Sequence, residues 1–317
     1  MTEQSESLPI VLSGERLTIN DPQAGRIQMY ADGPDSGGTT KAGEARPVLL
    51  VHSINASASA HEVKPIFNGL KQEYPTYALD LPGFGHSERS DRDYLQPLMA
   101  EAIIVAARAI SQRHGGSPVH TLAVSLSCEF LAKAALRAPD LFGSLAMVSP
   151  TGFAKNASRK GSAEESLGRQ KVLEFLKRPK LGKLLFRLLS SRPSIRFFLR
   201  KTWGSKAIDD EMFETSCAMA KHPYAHRAPF YFLSGYLFSA NIGPAYSAIE
   251  QPVWMAHGTR GDFTDYSRTE PIDGHSNWEI RVYDETGALP YFEVTGQFLD
   301  DYLAFLSAAV TENSQAA

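Results

Sequence analysis

Cysteine is scarce in this sequence: Cys128 and Cys217 are the only two in 317 residues, and they lie far apart. That spacing matches no metal site and speaks against a disulfide framework, so two buried, inert thiols are expected. No stretch approaches the ~18 apolar residues that a membrane span needs. The first nine residues, MTEQSESLP, have neither a basic start nor an apolar run, so no secretory signal is read there and a cytoplasmic location is expected. An excess of one charge is missing too. The formal net charge is −3, which gives no sign of nucleic-acid binding. With 43% hydrophobic and 21% charged residues, the composition is ordinary for a globular chain.

The pattern along the chain is one of short apolar runs separated by helical segments. Strand-like runs fall at Arg26–Tyr30, Pro47–His52, Thr76–Leu79, Val119–Val124, Leu145–Val148, Val253–His257 and Trp278–Tyr283. Several are apolar throughout, as strands buried on both faces are. Helical patterns cover Leu98–Arg113, Ser127–Arg137 and Glu293–Ala308, and Thr311–Ala317 reads as a frayed tail. Gly33–Ala45 is a polar, glycine-rich loop. Strands alternating with helices predict an α/β fold with a mostly parallel sheet flanked by helices. The alternation stops after Ser149-Pro150-Thr151-Gly152. Phe153–Glu250 reads as helical with proline breaks, and strand signals resume at Gln251. Residues 1–150 and 251–317 are therefore expected to form one core, with 151–250 inserted as a helical cap.

The strongest local signal is Leu122-Ala123-Val124-Ser125-Leu126-Ser127, which follows a buried strand and opens a helix. A nucleophile on a sharp strand-to-helix turn needs small residues two positions to each side, because bulky ones clash where the backbone folds back. Ala123 and Ser127 meet that need around Ser125. Centring the turn on Ser127 would put Glu129 at a small-residue position.

Two further segments stand at the ends of earlier strands: Val51-His52-Ser53-Ile54-Asn55 and Asp80-Leu81-Pro82-Gly83-Phe84-Gly85-His86-Ser87. The second matches D-x-x-G-x-G-x-S. Together with the Ser125 turn, these segments resemble the α/β-hydrolase superfamily, in its capped, serine-nucleophile, esterase- or lipase-like branch. The family commonly has His-Gly where this chain has His52-Ser53. The resemblance implies Ser125 as nucleophile and the N–H groups of Ile54 and Leu126 as oxyanion hole. It places the acid after Val253–Gly258, at Asp262, with Asp265 in reserve.

It also implies a histidine just before the last helix, and none is there. The segment reads Thr286-Gly287-Ala288-Leu289-Pro290-Tyr291-Phe292-Glu293. One register puts Ala288 at the base position and the other puts Tyr291 there. The second is favoured, with the Tyr291 hydroxyl expected to hydrogen-bond toward Asp262 or Ser125. A phenol with a reference pKa of about 10 accepts a proton poorly at neutral pH. His275 precedes the last strand and so belongs at the wrong end of the sheet. His86 is nearest the expected pocket mouth and is taken as a substrate-binding residue and substitute base. His222 and His226 lie in the cap.

The cap segment Lys155–Lys206 holds 15 Lys/Arg and 3 Asp/Glu, a local charge of +12, interleaved with Leu184, Leu185, Leu188, Phe197 and Phe198. This is either a solvated face or an attraction to anionic membrane surfaces or to an anionic substrate. The expected function is hydrolysis of a small hydrophobic ester or acyl ligand through an acyl-serine intermediate. The alternative is a ligand-binding protein on the same fold without turnover. No metal or organic cofactor is implied.

Overall fold

The computed structural model describes residues 8–38 and 47–315. The far end of the predicted 33–45 loop and the N-terminal segment before residue 8 lie outside the described residues. Eight strands form one sheet: β1 (Glu15–Asp21), β2 (Gly25–Asp32), β3 (Val48–Val51), β4 (Thr76–Asp80), β5 (Val119–Val124), β6 (Phe142–Val148), β7 (Val253–Gly258) and β8 (Trp278–Tyr283). Their order is β1-β2-β4-β3-β5-β6-β7-β8. β1 and β2 pair antiparallel with each other, β2 pairs antiparallel with β4, and the remaining pairs are parallel.

Every residue of β3, β4, β5, β6 and β7 is buried, as expected for strands covered on both faces. The edges differ. β1 reads ERLTIND with no buried residue, and β8 carries the exposed Glu279 and Arg281, charges that blunt an edge against pairing with another chain. The expected strands are all present. β1 was not anticipated, because its alternation of polar and apolar residues is that of a solvated edge.

Helix α1 (Lys64–Leu70) packs on one face of the sheet, and α2 (Gln96–Arg113) and α3 (Ser127–Arg137) on the other. Between β6 and β7 come α4 (Gln170–Leu176), α5 (Pro179–Leu189), α6 (Arg192–Trp203), α7 (Asp210–Met219), α8 (Arg227–Leu233) and α9 (Gly243–Ser247). After β8 follow α10 (Pro290–Glu293) and α11 (Thr295–Gln315), which pack with α1. The last helix thus runs past the expected stop at Ala308. Residues 153–169 are turns with one isolated bridge, Ser166 to Ser239, so the expected helical pattern from Phe153 does not form. Pro179, Pro193 and Pro229 sit in the first turns of α5, α6 and α8. There the missing N–H would be unsatisfied in any case, so these prolines start helices rather than break them.

The inserted helices are tied to the loops at the carboxyl ends of the strands. Ala228 of α8 lies against Gly83, where a Cβ would come within 2.4 Å of the Ala228 Cβ. The buried Glu129 of α3 accepts hydrogen bonds from Thr151 Oγ1 at 2.5 Å and Ser239 N at 2.8 Å. The end of α6 receives the Ala288 N–H on the Thr202 carbonyl at 2.8 Å. Among the described residues no helix is long and apolar enough to cross a membrane.

Candidate active site

Strand order locates the site. From β3 the chain passes to β4 on one side and later to β5 on the other, so the carboxyl ends of β3 and β5 flank the switch point where ligands of open α/β sheets bind. Ser125 is the residue after β5. Its φ is +55°, a left-handed conformation that costs a non-glycine residue about 1 kcal/mol. The strain is held in place by Ser125 N donating to Val148 O at 2.8 Å and Cys128 N donating to Ser125 O at 3.0 Å. Ala123 and Ser127 are fully buried, so nothing larger fits beside the turn. Ser127 Oγ also donates to His52 O at 2.6 Å, which fastens the start of α3 to the loop after β3.

On either side of this turn, the backbone N–H groups of Ile54 and Leu126 have no acceptor among the described residues. Unpaired N–H groups beside a partly exposed serine can receive an oxyanion. The Asp80–Ser87 loop is built around a carboxylate. Asp80 accepts from Ala60 N at 2.7 Å, His86 N at 2.8 Å and Tyr30 Oη at 3.1 Å. A Cβ on Gly85 would lie 2.0 Å from that carboxyl group, which is why glycine is required there.

The acid and base positions differ from expectation. Asp262 is exposed and ion-paired with Lys201 of α6, and it orients no histidine. Asp265 is exposed as well and accepts from Lys155 N at 2.9 Å and Ser267 N at 3.1 Å. Tyr291 is fully buried, against Phe292 and Phe298, and its hydroxyl has no hydrogen-bond partner. The expected bond from Tyr291 to Asp262 or Ser125 is therefore not made. The α10 turn sends the ring into the apolar core between sheet and last helices. Burial, then the nearby Glu62 carboxylate, push its phenol well above the ordinary tyrosine range. Ala288, the other register, is sealed between α6 and Ser149, whose Oγ donates to the Ala288 carbonyl at 2.7 Å.

The histidines at this end of the sheet are committed elsewhere. His52 accepts from Leu81 N on Nε2 at 3.1 Å and donates from Nδ1 to Ser53 O at 2.6 Å, and burial depresses its pKa. His257 contacts Gly258 O through Nδ1 at 2.9 Å and stacks on Tyr266 with ring centroids 3.8 Å apart. His86, expected at the pocket mouth, contacts Pro9 O through Nε2 at 2.9 Å and Arg16 through Nδ1 at 3.4 Å, which leaves neither nitrogen for a ligand. His222 bonds the Pro223 carbonyl, and His226 packs on Phe186 and Phe230.

One ionisable group was missed. Glu62, in the turn before α1, is 3% exposed. Its Oε1 accepts from Ser53 Oγ at 2.7 Å and its Oε2 from Ser53 N. Burial pushes its pKa from 4.5 up to about 7, against the two Ser53 hydrogen bonds that lower it. The only sequence signal was a charged residue beside His61 at the end of the small-residue stretch Ala56–Ala60, a position that reads equally well as a solvated helix start. No cluster of metal-binding side chains is found among the described residues.

A sequence model described as the alpha/beta hydrolase fold matches residues 46–193. No curated protein matches by sequence. Similar solved structures include a putative lipase from Acinetobacter baumannii AYE, at 18% identity and TM-score 0.69, covering 94% of this chain and 92% of that one. A carboxylesterase from Bacillus subtilis is 17% identical with TM-score 0.67, over 96% and 94% of the two chains. A membrane phospholipase A described as a bacterial virulence factor is 19% identical with TM-score 0.66, over 93% and 86%. At these identities the likeness is one of fold, and it agrees with the strand order: the chain has the α/β-hydrolase fold, with a helical insertion between β6 and β7.

Proposed function

We propose that the chain is a serine hydrolase that cleaves the carboxylic ester of a hydrophobic acyl substrate, with Ser125 as nucleophile. The observation that carries this reading is the strained Ser125 turn at the sheet's switch point, with the unpaired N–H groups of Ile54 and Leu126 beside it. Backbone strain kept at one polar, partly exposed residue is typical of functional sites. Ser125 Oγ would attack the ester carbonyl, and the two N–H groups would stabilise the charge that forms on its oxygen. The lipase, carboxylesterase and phospholipase among the similar structures support an ester as the substrate class.

The test is a fluorophosphonate probe, with the modified residue located by mass spectrometry. Rapid labelling at Ser125, absent in Ser125→Ala, is expected. No labelling would favour a second reading, a ligand-binding protein without turnover. That reading is supported by Ala288 in the loop where a histidine belongs, since loss of a triad member costs on the order of 10⁴ in rate. We also assign the outer face of α5 and α6 to weak contact with anionic membrane surfaces. Leu184, Leu188, Phe197 and Phe198 are exposed there among Lys180, Lys183, Arg187 and Arg200, which have no acidic partner among the described residues.

A further inference from the structure

We propose that Ser53 and Glu62 supply the base that the Ala288 loop lacks: Ser53 Oγ takes the proton of Ser125 and passes its own to the Glu62 carboxylate. The proposal rests on the reading of Ser125 as nucleophile.

Position is the first argument. β3 and β5 are paired in parallel with Val51 opposite Ala123. Two residues further along each chain, just past the strand ends, come Ser53 and Ser125, in the neighbouring loops that leave the carboxyl ends of β3 and β5. The Ser127–His52 hydrogen bond holds the two loops together at this point.

The second argument is hydrogen bonding. The Ser53 hydroxyl already donates to Glu62, and a hydroxyl that donates still has lone pairs with which to accept. It can therefore accept from Ser125 without breaking its bond to the carboxylate. Glu62 accepts from both the N–H and the hydroxyl of Ser53, so it fixes the direction in which that proton moves.

The third argument is the carboxylate's surroundings. Glu62 is buried without a cation beside it; among the described residues no Lys, Arg or His pairs with it. A buried carboxylate without a partner is costly, and burial is what makes it basic enough to take a proton near neutral pH. The groups that face it are Tyr291 from α10 and, beyond the ring, Cys128 from α3, and burial holds both in their protonated forms. Burial depresses the pKa of His52 on the other side of Ser53.

The step balances. As the Ser125 Oγ–C bond forms, the Ser125 proton moves to Ser53 Oγ, the Ser53 proton moves to Glu62, and the carbonyl π pair goes to the oxyanion. Collapse of the tetrahedral adduct breaks the ester C–O bond. The departing alkoxide takes a proton from Ser53, which recovers one from Glu62. Water repeats the sequence on the acyl-serine, releasing the carboxylic acid and restoring Ser125. In this scheme Ser53 Oγ would meet the reacting oxygen, and Glu62 would take the proton through it.

The experiment measures turnover of a short-chain nitrophenyl ester and fluorophosphonate labelling, both against pH from 5 to 10, in wild type, Glu62→Gln, Ser53→Gly and Ser53→Thr. The wild-type rate should rise through a single inflection near 7. Glu62→Gln should lose that inflection and at least about 100-fold in neutral-pH rate, the scale of general-base catalysis. Ser53→Gly, which leaves Glu62 in place, should lose as much, and Ser53→Thr should recover most of the rate because it keeps a hydroxyl. Circular dichroism establishes that each variant is folded, and Ser53→Gly carries the test if Glu62→Gln is not. A wild type that labels at Ser125 while both Glu62→Gln and Ser53→Gly keep its rate and pH profile overturns the relay alone. A wild type that neither labels nor turns over at any pH overturns the nucleophile, and the relay with it.

Discussion

Relative to wild type, Glu62→Gln should gain stability as pH rises. In the folded chain burial lifts this carboxyl from 4.5 to about 7. A raised acid favours its protonated form in the fold, so its contribution is fully present below pH 4.5 and is lost as pH rises through 7. Integrating the linkage between pH 5 and pH 8 gives a loss of about 2–3 kcal/mol. Glutamine keeps the shape and an acceptor for the Ser53 hydroxyl, turns its NH2 toward the Ser53 N–H at a cost independent of pH, and carries no charge to desolvate, so the variant lacks the pH-dependent term. Urea unfolding of both proteins at pH 5 and pH 8 isolates it, because every other titrating group is common to the two. The stability of Glu62→Gln relative to wild type should rise by about 2–3 kcal/mol between the two pH values. Parallel pH dependence, with the gap constant to within about 0.5 kcal/mol, would show that Glu62 ionises at its ordinary pH and refute the argument from burial. With the rate loss expected of the same variant, the outcome is a pH-dependent cost removed where activity is given up.

Three other outcomes follow from single features. Tyr291→Phe removes a buried hydroxyl that has no partner, so it should stabilise the fold by about 1 kcal/mol and leave ester turnover intact, read by thermal melt and initial rate. Ser125→Gly should abolish probe labelling and yet raise stability by about 1 kcal/mol, because glycine accepts the +55° φ without strain; Ser125→Ala, which keeps the Cβ, should not. Replacing both exposed Phe197 and Phe198 by serine should weaken co-sedimentation with anionic vesicles at low salt, while wild-type binding fades as salt is raised; equal wild-type binding to neutral and anionic vesicles, or none, would leave these helices as a solvated face.

The fold was legible because its signals are short-range and repeated. All-apolar strands such as Val48–Val51 and Val253–Gly258 can only be buried on both faces, and their alternation with helices leaves few topologies. The Ser125 turn was legible for a related reason: the small residues Ala123 and Ser127 are demanded by local backbone geometry. Asp262 was chosen by position after β7, and position says nothing about which way a loop carboxylate turns. Lys201, 61 residues earlier in the chain, takes it to the surface. Tyr291 was chosen by register, yet one turn of helix after Pro290 is enough to swing its ring into the core against Phe298. Glu62 was invisible because its meaning lies in a long-range fact, the burial of a charge beside a hydroxyl.

The missing histidine is better understood as a change in packing than as one substitution. Gly287 lies so close to the end of α6 that an added Cβ would stand 2.6 Å from the Trp203 carbonyl and 2.7 Å from that of Thr202. Ala288 donates its N–H to Thr202 and accepts from Ser149, so both sides of the loop are filled by backbone and a small hydroxyl. Arg260 adds a clamp, reaching the Trp203 carbonyl at 2.8 Å and pairing with Glu293. An imidazole at 288 would have to displace this contact, an overpacking that typically costs 1–3 kcal/mol. The inserted helices therefore occupy the space that a base loop would use, and they came with a second accommodation on the same side of the sheet. There α1, α10 and α11 pack together, and Glu62 and Tyr291 lie buried beside one another. A fold that had merely lost a base would gain by replacing so costly a carboxylate with an apolar residue. Its hydrogen bonds to Ser53, in the loop next to the Ser125 turn, place there a group that burial makes able to take a proton near neutral pH.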